Sequence, residues 1–389
     1  MICDKKNCTG CFACYNICPK EAIVMKKDEY GNVYPEIIKE KCIDCGLCKK
    51  VCPQLKEKLD LKEPITAYAM YNKDSKKRSE SASGGAASTF YEHILNKKGV
   101  IYGASNLFGK EEFSFIRIED KKDLYKVKGS KYVHCYINDI LKQVKKDLLD
   151  NRDVIFIGTP CQVSGLKSFL MKEYDNLITI DIVCHGVPSQ QLLFDEMEFQ
   201  KINKKDISII SFRDDKQYNL KVLDKNKKII LEKKSSFIDY YRNFLQSNIN
   251  RENCYSCRYA QRKRISDITI GDFWGLDKNS KVYDNEEKGI SLIMPNTQKG
   301  LDLVKQIFEE SIIEERTIEE ACRENGQLNR PSKKSKKYNT YLKYYPSKGY
   351  KKTMKKMSTP KEKIKKKIYS NTLLYKTLKK IKNKIKHTN

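Results

Sequence analysis

Apolar positions first gather in two short runs, 22–25 and 33–36, on either side of Asp28-Glu29-Tyr30-Gly31-Asn32. Short strands around a turn of Asp, Gly and Asn predict a hairpin. Polar residues 54–64 then interrupt the pattern and predict a linker, with a domain boundary near residue 60. Beyond it, 65–71 reads as a strand. Ala86, Phe90, Ile94 and Leu95 recur at helical spacing, Gly99 stands where a helix ends, and 100–103 resumes a strand. That order predicts a βαβ unit. A second unit is sharper: a buried strand over 153–158, a helix with Val163, Leu166, Phe169 and Leu170 on one face, and a strand over 177–183. Alternating polar segments over 207–233 predict antiparallel strands, and 237–245 reads as an aromatic helix. A strand follows at 289–295, with helices near 299–310 and 317–325. Residues 331–360 mix Lys with Tyr and Ser and predict a loose linker. From Lys361 onward Ile364, Ile368, Leu374, Leu378, Ile381 and Ile385 form a helical stripe among lysines.

The cysteines change this picture most. Cys8, Cys11, Cys14 and Cys18-Pro19 repeat the spacing of Cys42, Cys45, Cys48 and Cys52-Pro53. Each run reads C-x2-C-x2-C-x3-C-P, the ligand pattern of a two-cluster bacterial ferredoxin. In that pattern the fourth cysteine serves the other cluster. Cys8, Cys11, Cys14 and Cys52 are therefore expected to hold one [4Fe–4S] cluster, and Cys42, Cys45, Cys48 and Cys18 the other. Zinc prefers paired CxxC ligands over two quartets backed by proline, and a disulfide framework is the third alternative.

A further group is implied by position. Cys161 and Cys184 each follow the carboxyl end of a predicted strand, the edge where open α/β sheets build their sites. With Cys254 and Cys257 they make four thiols from three loops, suited to a third [4Fe–4S] cluster or to zinc. A helix N-terminus at Cys161 is expected to ease its ionisation. A Cys nucleophile with His185 as base is a lesser alternative. Cys3, Cys135 and Cys322 lack partners in the sequence and read as ordinary buried residues, His93 as structural, and His134 as open.

Composition and charge refine the class. At 389 residues the chain is long enough for two or three domains. Fifteen cysteines around cluster motifs point to a reducing compartment, hence the cytoplasm. The N-terminus has no secretory apolar segment, and no apolar run nears the ~20 residues that span a bilayer. Of the formal +27, +20 falls in residues 331–389, where 21 Lys accompany one Glu. The body is thus only mildly basic. A Lys-rich amphipathic stretch over 361–389 suits an anionic membrane surface at the inner face, an acidic partner, or a solvated tail. Nucleic acid is the weakest reading, because no binding module accompanies the basic run.

Together with Gly129-Ser130-Lys131-Tyr132, Gly158-Thr159-Pro160-Cys161-Gln162, Asp181-Ile182-Val183-Cys184-His185-Gly186, Ser211-Phe212-Arg213 and the run from Ser266 through Asp272-Phe273-Trp274-Gly275, these motifs resemble the family of coenzyme F420 hydrogenase/dehydrogenase beta subunits over roughly residues 1–330. The resemblance implies an α+β protein. Its two-cluster ferredoxin domain would occupy 1–60, a larger α/β flavin-type domain 61–330, and a basic linker and helical tail 331–389. It implies FAD lined by Ser83, Gly84, Gly85, Lys131, Tyr132, Gly158, Thr159 and Gln162, beside a cluster on Cys161, Cys184, Cys254 and Cys257. By their sequence alone, Ser83-Gly84-Gly85 read equally as an anion-binding turn or a small-residue turn. Family members oxidise or reduce coenzyme F420, relatives reduce a chlorophyll intermediate, and bacterial members of unassigned substrate occur among surface-polysaccharide genes. The expected function is electron exchange between hydride chemistry at FAD and clusters serving a redox partner protein or small carrier. His185 and Arg213 are candidate catalytic residues, and Arg213, Arg258 and Lys131 candidate anchors for an anion. An electron-relay subunit without its own organic substrate is the rival, and a sensor or scaffold a third.

Overall fold

The computed structural model describes residues 2–105, 112–213, 218–283 and 288–370. The N-terminal unit comprises helix α1 (Ala13–Ile17), hairpin strands β1 (Ile23–Lys27) and β2 (Val33–Ile37), and helix α2 (Leu47–Lys50). The hairpin pairs Ile23 with Ile37 and Lys27 with Val33 around the predicted turn, where Asp28 N–H donates to the Asn32 carbonyl at 2.9 Å. The sequence repeat is also a conformational one. Phe12 and Gly46, each between the second and third cysteine of its run, both take left-handed backbone (φ 62° and 72°) and start α1 and α2.

The body is built on β3 (Ala67–Asn72), β4 (Val100–Ala104), β5 (Phe115–Ile118), β6 (Val154–Gly158) and β7 (Leu177–Ile182). A separate antiparallel layer holds β8 (Ile209–Ser211), β9 (Asn219–Leu223) and β10 (Ile229–Lys234), as the alternating pattern predicts. With β11 (Ile268–Asp272), β12 (Ser291–Pro295) and β13 (Ser311–Arg316), the main sheet runs β13-β3-β12-β11-β7-β6-β4-β5. Its centre is parallel and its flanks antiparallel. Helices α3 (Ser75–Ser79), α4 (Ala86–Asn96), α5 (Ile140–Leu149), α6 (Pro160–Leu170), α7 (Gln190–Phe199), α8 (Asp239–Leu245), α9 (Gln298–Gln306) and α10 (Ile318–Arg323) complete it.

Strand alternation decides which helix covers which face. Val100, Tyr102, Val154 and Phe156 pack with Leu141 and Val144 of α5 and Val163 and Leu166 of α6. Ile101, Ile155 and Ile157 on the opposite face pack with Phe90 and Ile94 of α4 and Val304 of α9. The β6–α6–β7 unit forms as expected, with β6 and β7 parallel neighbours and Gly158 level with Asp181. The other expected unit does not close. β3 and β4 lie on opposite sides of the sheet with β12, β11, β7 and β6 between them, because later strands insert there.

The linker expected over 331–360 is instead helical. Helix α11 (Lys336–Met357) bends at Gly349 and buries Tyr338, Tyr341, Tyr345, Tyr350, Met354 and Met357. Its first three tyrosines share a face by their spacing of three and four, and its lysines take the others. The Tyr30 hydroxyl of the N-terminal hairpin donates to the Leu342 carbonyl at 3.0 Å, and its ring lies 5.5 Å from that of Tyr341. Tyr350 donates to Glu196 of α7 at 2.6 Å. Helix α11 thus straps the N-terminal unit to the body. Helix α12 (Pro360–Ser370) follows, and the stripe residues Leu374, Leu378, Ile381 and Ile385 lie outside the described residues. Among the described residues no helix is long and apolar enough to cross a membrane.

Two substitutions test these seams. Tyr341→Ala removes a buried ring from the strap and should cost about 3 kcal/mol, read as a lower thermal midpoint. At Gly165 of α6 an added Cβ would lie 2.8 Å from Cys11 Cβ and 3.0 Å from its Sγ. Gly165→Ala should cost about 1–3 kcal/mol and make the N-terminal unit more sensitive to limited proteolysis. An unchanged midpoint and digestion pattern would show that the two units do not depend on this approach.

Candidate redox site

The expected ligand thiols fall into three groups. Cys8, Cys11, Cys14 and Cys52 line one small cavity together with Cys3. Burial pushes the Cys11 thiol up to about 12 and also raises Cys14. Cys3, read from the sequence as partnerless, is hydrogen-bonded to Cys52 and Cys8. Its hydrogen bond is the largest cause drawing Cys8 down to about 6 and Cys52 to about 7. Cys18, Cys45 and Cys48 form the second group; Cys48 is raised by burial first and then by the two neighbouring thiols. Cys42 opens the same loop and turns its thiol to Asp44 Oδ1 at 3.6 Å.

The third group is made by the sheet. Because β6 and β7 end level, Cys161 and Cys184 meet there, and Cys254 and Cys257 come to them from the loop before β11. Three of the thiols sense others of the group: Cys161 senses Cys184 and Cys257, Cys184 senses Cys254 and Cys257, and Cys254 senses Cys257 and Cys161. Burial pushes Cys184 and Cys254 up to about 12. It also raises Cys161, outweighing Thr159 Oγ1 at 3.2 Å; the helix N-terminus does not produce the lowered thiol expected there. The loop carrying Cys254 and Cys257 is fixed by a buried ion pair. Arg264 Nη2 donates to Asp181 Oδ1 of β7 at 2.9 Å, and its Nη1 to the Tyr259 carbonyl at 3.0 Å. Cys11, pressed against Gly165, also reaches Cys161, so the first and third groups adjoin. Among the described residues no three His, Cys, Asp or Glu side chains converge as a single ion requires.

Beside the third group opens a cavity of about 280 Å³. Ser83, Gly85, Lys131, Tyr132, Gly158, Thr159 and Gln162 line it, and so do Cys184, His185, Arg213 and Asp272. Gly84 lies behind this wall: a Cβ there would stand 2.1 Å from the Met70 carbonyl, so its small size serves packing against β3. Gln162 caps α6, accepting from Thr159 N–H at 3.0 Å, while its amide donates to the Cys135 carbonyl at 2.9 Å. Lys131 Nζ donates to the Val127, Lys128 and Gly129 carbonyls at 2.6–3.0 Å, and burial pushes its amine down to about 7. It braces its loop. Tyr132 stacks on Phe244 at 4.8 Å. Arg213 Nη1 pairs with Asp272 at 2.8 Å, while its Nε has no partner among the described residues.

The remaining candidates divide. His185 lines the cavity with Nε2 at Ser247 Oγ (2.9 Å) and Nδ1 at Gln327 (3.3 Å), and burial lowers its pKa. Arg258 is elsewhere. It donates to the Lys56 and Glu57 carbonyls at 2.8 and 2.9 Å and clamps the chain leaving Cys52, so it cannot anchor an anion in the cavity. Sequence reasoning missed Cys135, Phe244 and Asp272 as lining residues and left His134 undecided. Only the aspartate stood in a quoted motif, and nothing local marks the others.

Comparison with known proteins identifies two stretches of the chain. The family description for the C terminus of the coenzyme F420 hydrogenase/dehydrogenase beta subunit matches residues 151–321, and a 4Fe-4S dicluster domain matches residues 7–55. The F subunit of the F420H2 dehydrogenase of Methanosarcina mazei is 23% identical over 78% of this chain and 88% of its own length. A coenzyme F420-dependent sulfite reductase of Methanocaldococcus jannaschii is 24% identical over 74% of this chain; the match spans 46% of that protein, about half its length. An uncharacterised ferredoxin of the same organism is 40% identical over 14% of this chain and 68% of its own length. Residues 151–321 thus carry the C-terminal domain of the coenzyme F420 hydrogenase/dehydrogenase beta-subunit family, and residues 7–55 a 4Fe-4S dicluster domain of the iron–sulfur, electron-transfer kind.

Proposed function

We propose that this chain exchanges electrons between an organic substrate, taken in the cavity with FAD, and three [4Fe–4S] clusters leading to a redox partner. Cys184 carries the reading, because it belongs both to the cavity wall and to the four-thiol group. Substrate chemistry and electron export would then share one wall. The donor sets fit cubanes. Burial raises all four thiols, the sort of site that a cationic iron core would relieve, and their spacing is more open than one zinc ion requires. Cys8, Cys11, Cys14 and Cys52 would hold the middle cluster, Cys18, Cys42, Cys45 and Cys48 the outer, and Cys161, Cys184, Cys254 and Cys257 the inner.

The cavity fits the ring end of a flavin. Its enclosed volume of about 280 Å³ suits a ring system, with small residues Ser83, Gly85 and Ala86 on one wall and Tyr132 on another. Bound FAD would supply the step between two-electron substrate chemistry and one-electron clusters. Ser83, Gly85, Lys131, Tyr132, Gly158, Thr159 and Gln162 would hold it, chiefly through backbone and packing, since Lys131 and Gln162 are committed to their own loops. Arg213, already paired with Asp272, would orient an anionic substrate group, and His185, whose pKa burial lowers, would hold or move a proton there. The deazaflavin named for its relatives is one candidate substrate.

An anaerobic preparation tests the reading. About twelve irons per chain, four per cubane, and one FAD are expected. About eight irons without flavin would overturn it in favour of an electron relay. Residues 361–389 are proposed to rest on an anionic membrane surface, with Ile364 of α12 61% exposed among lysines. Deleting 361–389 should abolish flotation with anionic liposomes; equal flotation of both forms would remove that part.

A further inference from the structure

Arg251 is among the most deeply buried side chains of the protein, 1% exposed, and it forms no ion pair among the described residues. Its Nε donates to the Cys8 carbonyl at 2.9 Å and its Nη2 to the Val33 carbonyl at 2.9 Å, while the Tyr34 ring lies 4.1 Å from its centre. Among the described residues Nη1 has no hydrogen-bond partner of normal geometry, although the guanidinium is close enough to draw the Cys8 thiol down. Arg264, equally buried, shows the ordinary solution: it is neutralised by Asp181 at 2.9 Å. Burying an unpaired guanidinium is costly in a protein interior, and carbonyls and a ring are poor compensation. The missing negative charge is expected nearby.

The surroundings identify it. Gly10, between Cys8 and Cys11, packs against the guanidinium, 3.5 Å from where a Cβ would stand. The Arg251 charge acts on the sulfurs of both Cys8 and Cys254. Its own backbone opens the turn to the third thiol group, with Cys254 N–H donating to the Arg251 carbonyl at 3.0 Å. Arg251 therefore stands in the seam between two thiol groups, with its unpartnered edge beside the first. A cubane on four thiolates is net anionic and gains one more negative charge on reduction. Net charge and hydrogen bonds at the sulfurs set its potential.

We propose that Arg251 is the built-in counter-ion of the cluster on Cys8, Cys11, Cys14 and Cys52, and that its fixed charge makes this middle cluster the favoured acceptor of an electron from the inner one. The inference rests on the three-cluster reading above. One electron leaves the inner cluster and one arrives at the middle cluster. No proton accompanies it, because a guanidinium keeps its charge throughout the working pH range. Arg251 is a positioning residue, acting on charge without touching substrate.

The test is a redox titration followed by electron paramagnetic resonance, on full-length protein whose iron has first been counted. With iron complete, Arg251→Gln and Arg251→Met should each lower the equilibrium constant for reducing one cluster about tenfold, which is about 59 mV for one electron. The inner cluster, whose Cys254 also senses this charge, should shift by a smaller factor in the same direction, and the outer potential should stay within threefold of the parent. All three unchanged at full iron would overturn the proposal, whereas a parent with only eight irons would overturn the reading beneath it. Should neither neutral variant retain iron, Arg251→Lys decides. It keeps the charge and loses the fork to Cys8 and Val33, so the potential should stay within threefold while the thermal midpoint drops. A tenfold fall in the lysine variant would assign the effect to the fork's geometry and overturn the counter-ion.

Discussion

The buried pair of Arg264 and Asp181 is the interaction on which the site depends. Asp181 stands on β7, fully enclosed, three residues before Cys184. Arg264 follows Cys257 by seven residues and also holds the Tyr259 and Gln261 carbonyls at 3.0 and 3.2 Å. A loop bearing two thiols is thereby tied to the strand end bearing a third. Such a pair contributes little net stability over an apolar replacement, but removing one partner strands a charge and costs about 3–5 kcal/mol. What it provides is register, since no shifted loop can satisfy both charges.

Gathering thiols in a dry interior works against the chain that gathers them. Burial raises Cys11, Cys184 and Cys254 to about 12, and neighbouring thiols add to the rise. Deprotonated sulfur would be strongly disfavoured there without positive charge. Iron would supply most of that charge at each group, while Arg251 and Arg264 are the protein's own buried cations around two of them. Assembly of the proposed clusters would be coupled to consolidation of this interior for that reason.

The close approach of Cys11 to Gly165 and the strap of α11 address a second requirement, continuity between units. Electron transfer between centres weakens steeply with separation, so a ferredoxin-type unit on a free linker would serve the body poorly. Tyr30, Tyr341 and Tyr345 form a packed aromatic seam, with Tyr338 against Tyr255 at 4.5 Å beside Cys254. The basic segment after residue 331 therefore holds the N-terminal unit against the body.

The cysteine quartets, the β6–α6–β7 unit and the thiols at its strand ends were legible from local order alone. Ligand spacing and strand-helix-strand periodicity are properties of contiguous residues, and a parallel pair joined by one helix has few alternatives. The same locality explains what was not legible. Only tertiary structure could separate β3 from β4 by four inserted strands, or turn a lysine-tyrosine stretch into a buried strap, because a tyrosine face is apolar only when something covers it. Arg258 and Arg251 show the limit most plainly. They are seven residues apart in one basic region. One ends on solvent-side carbonyls of the chain after Cys52 and the other, unpaired, between two groups of thiols, and that difference is set by residues more than 190 positions away in the sequence.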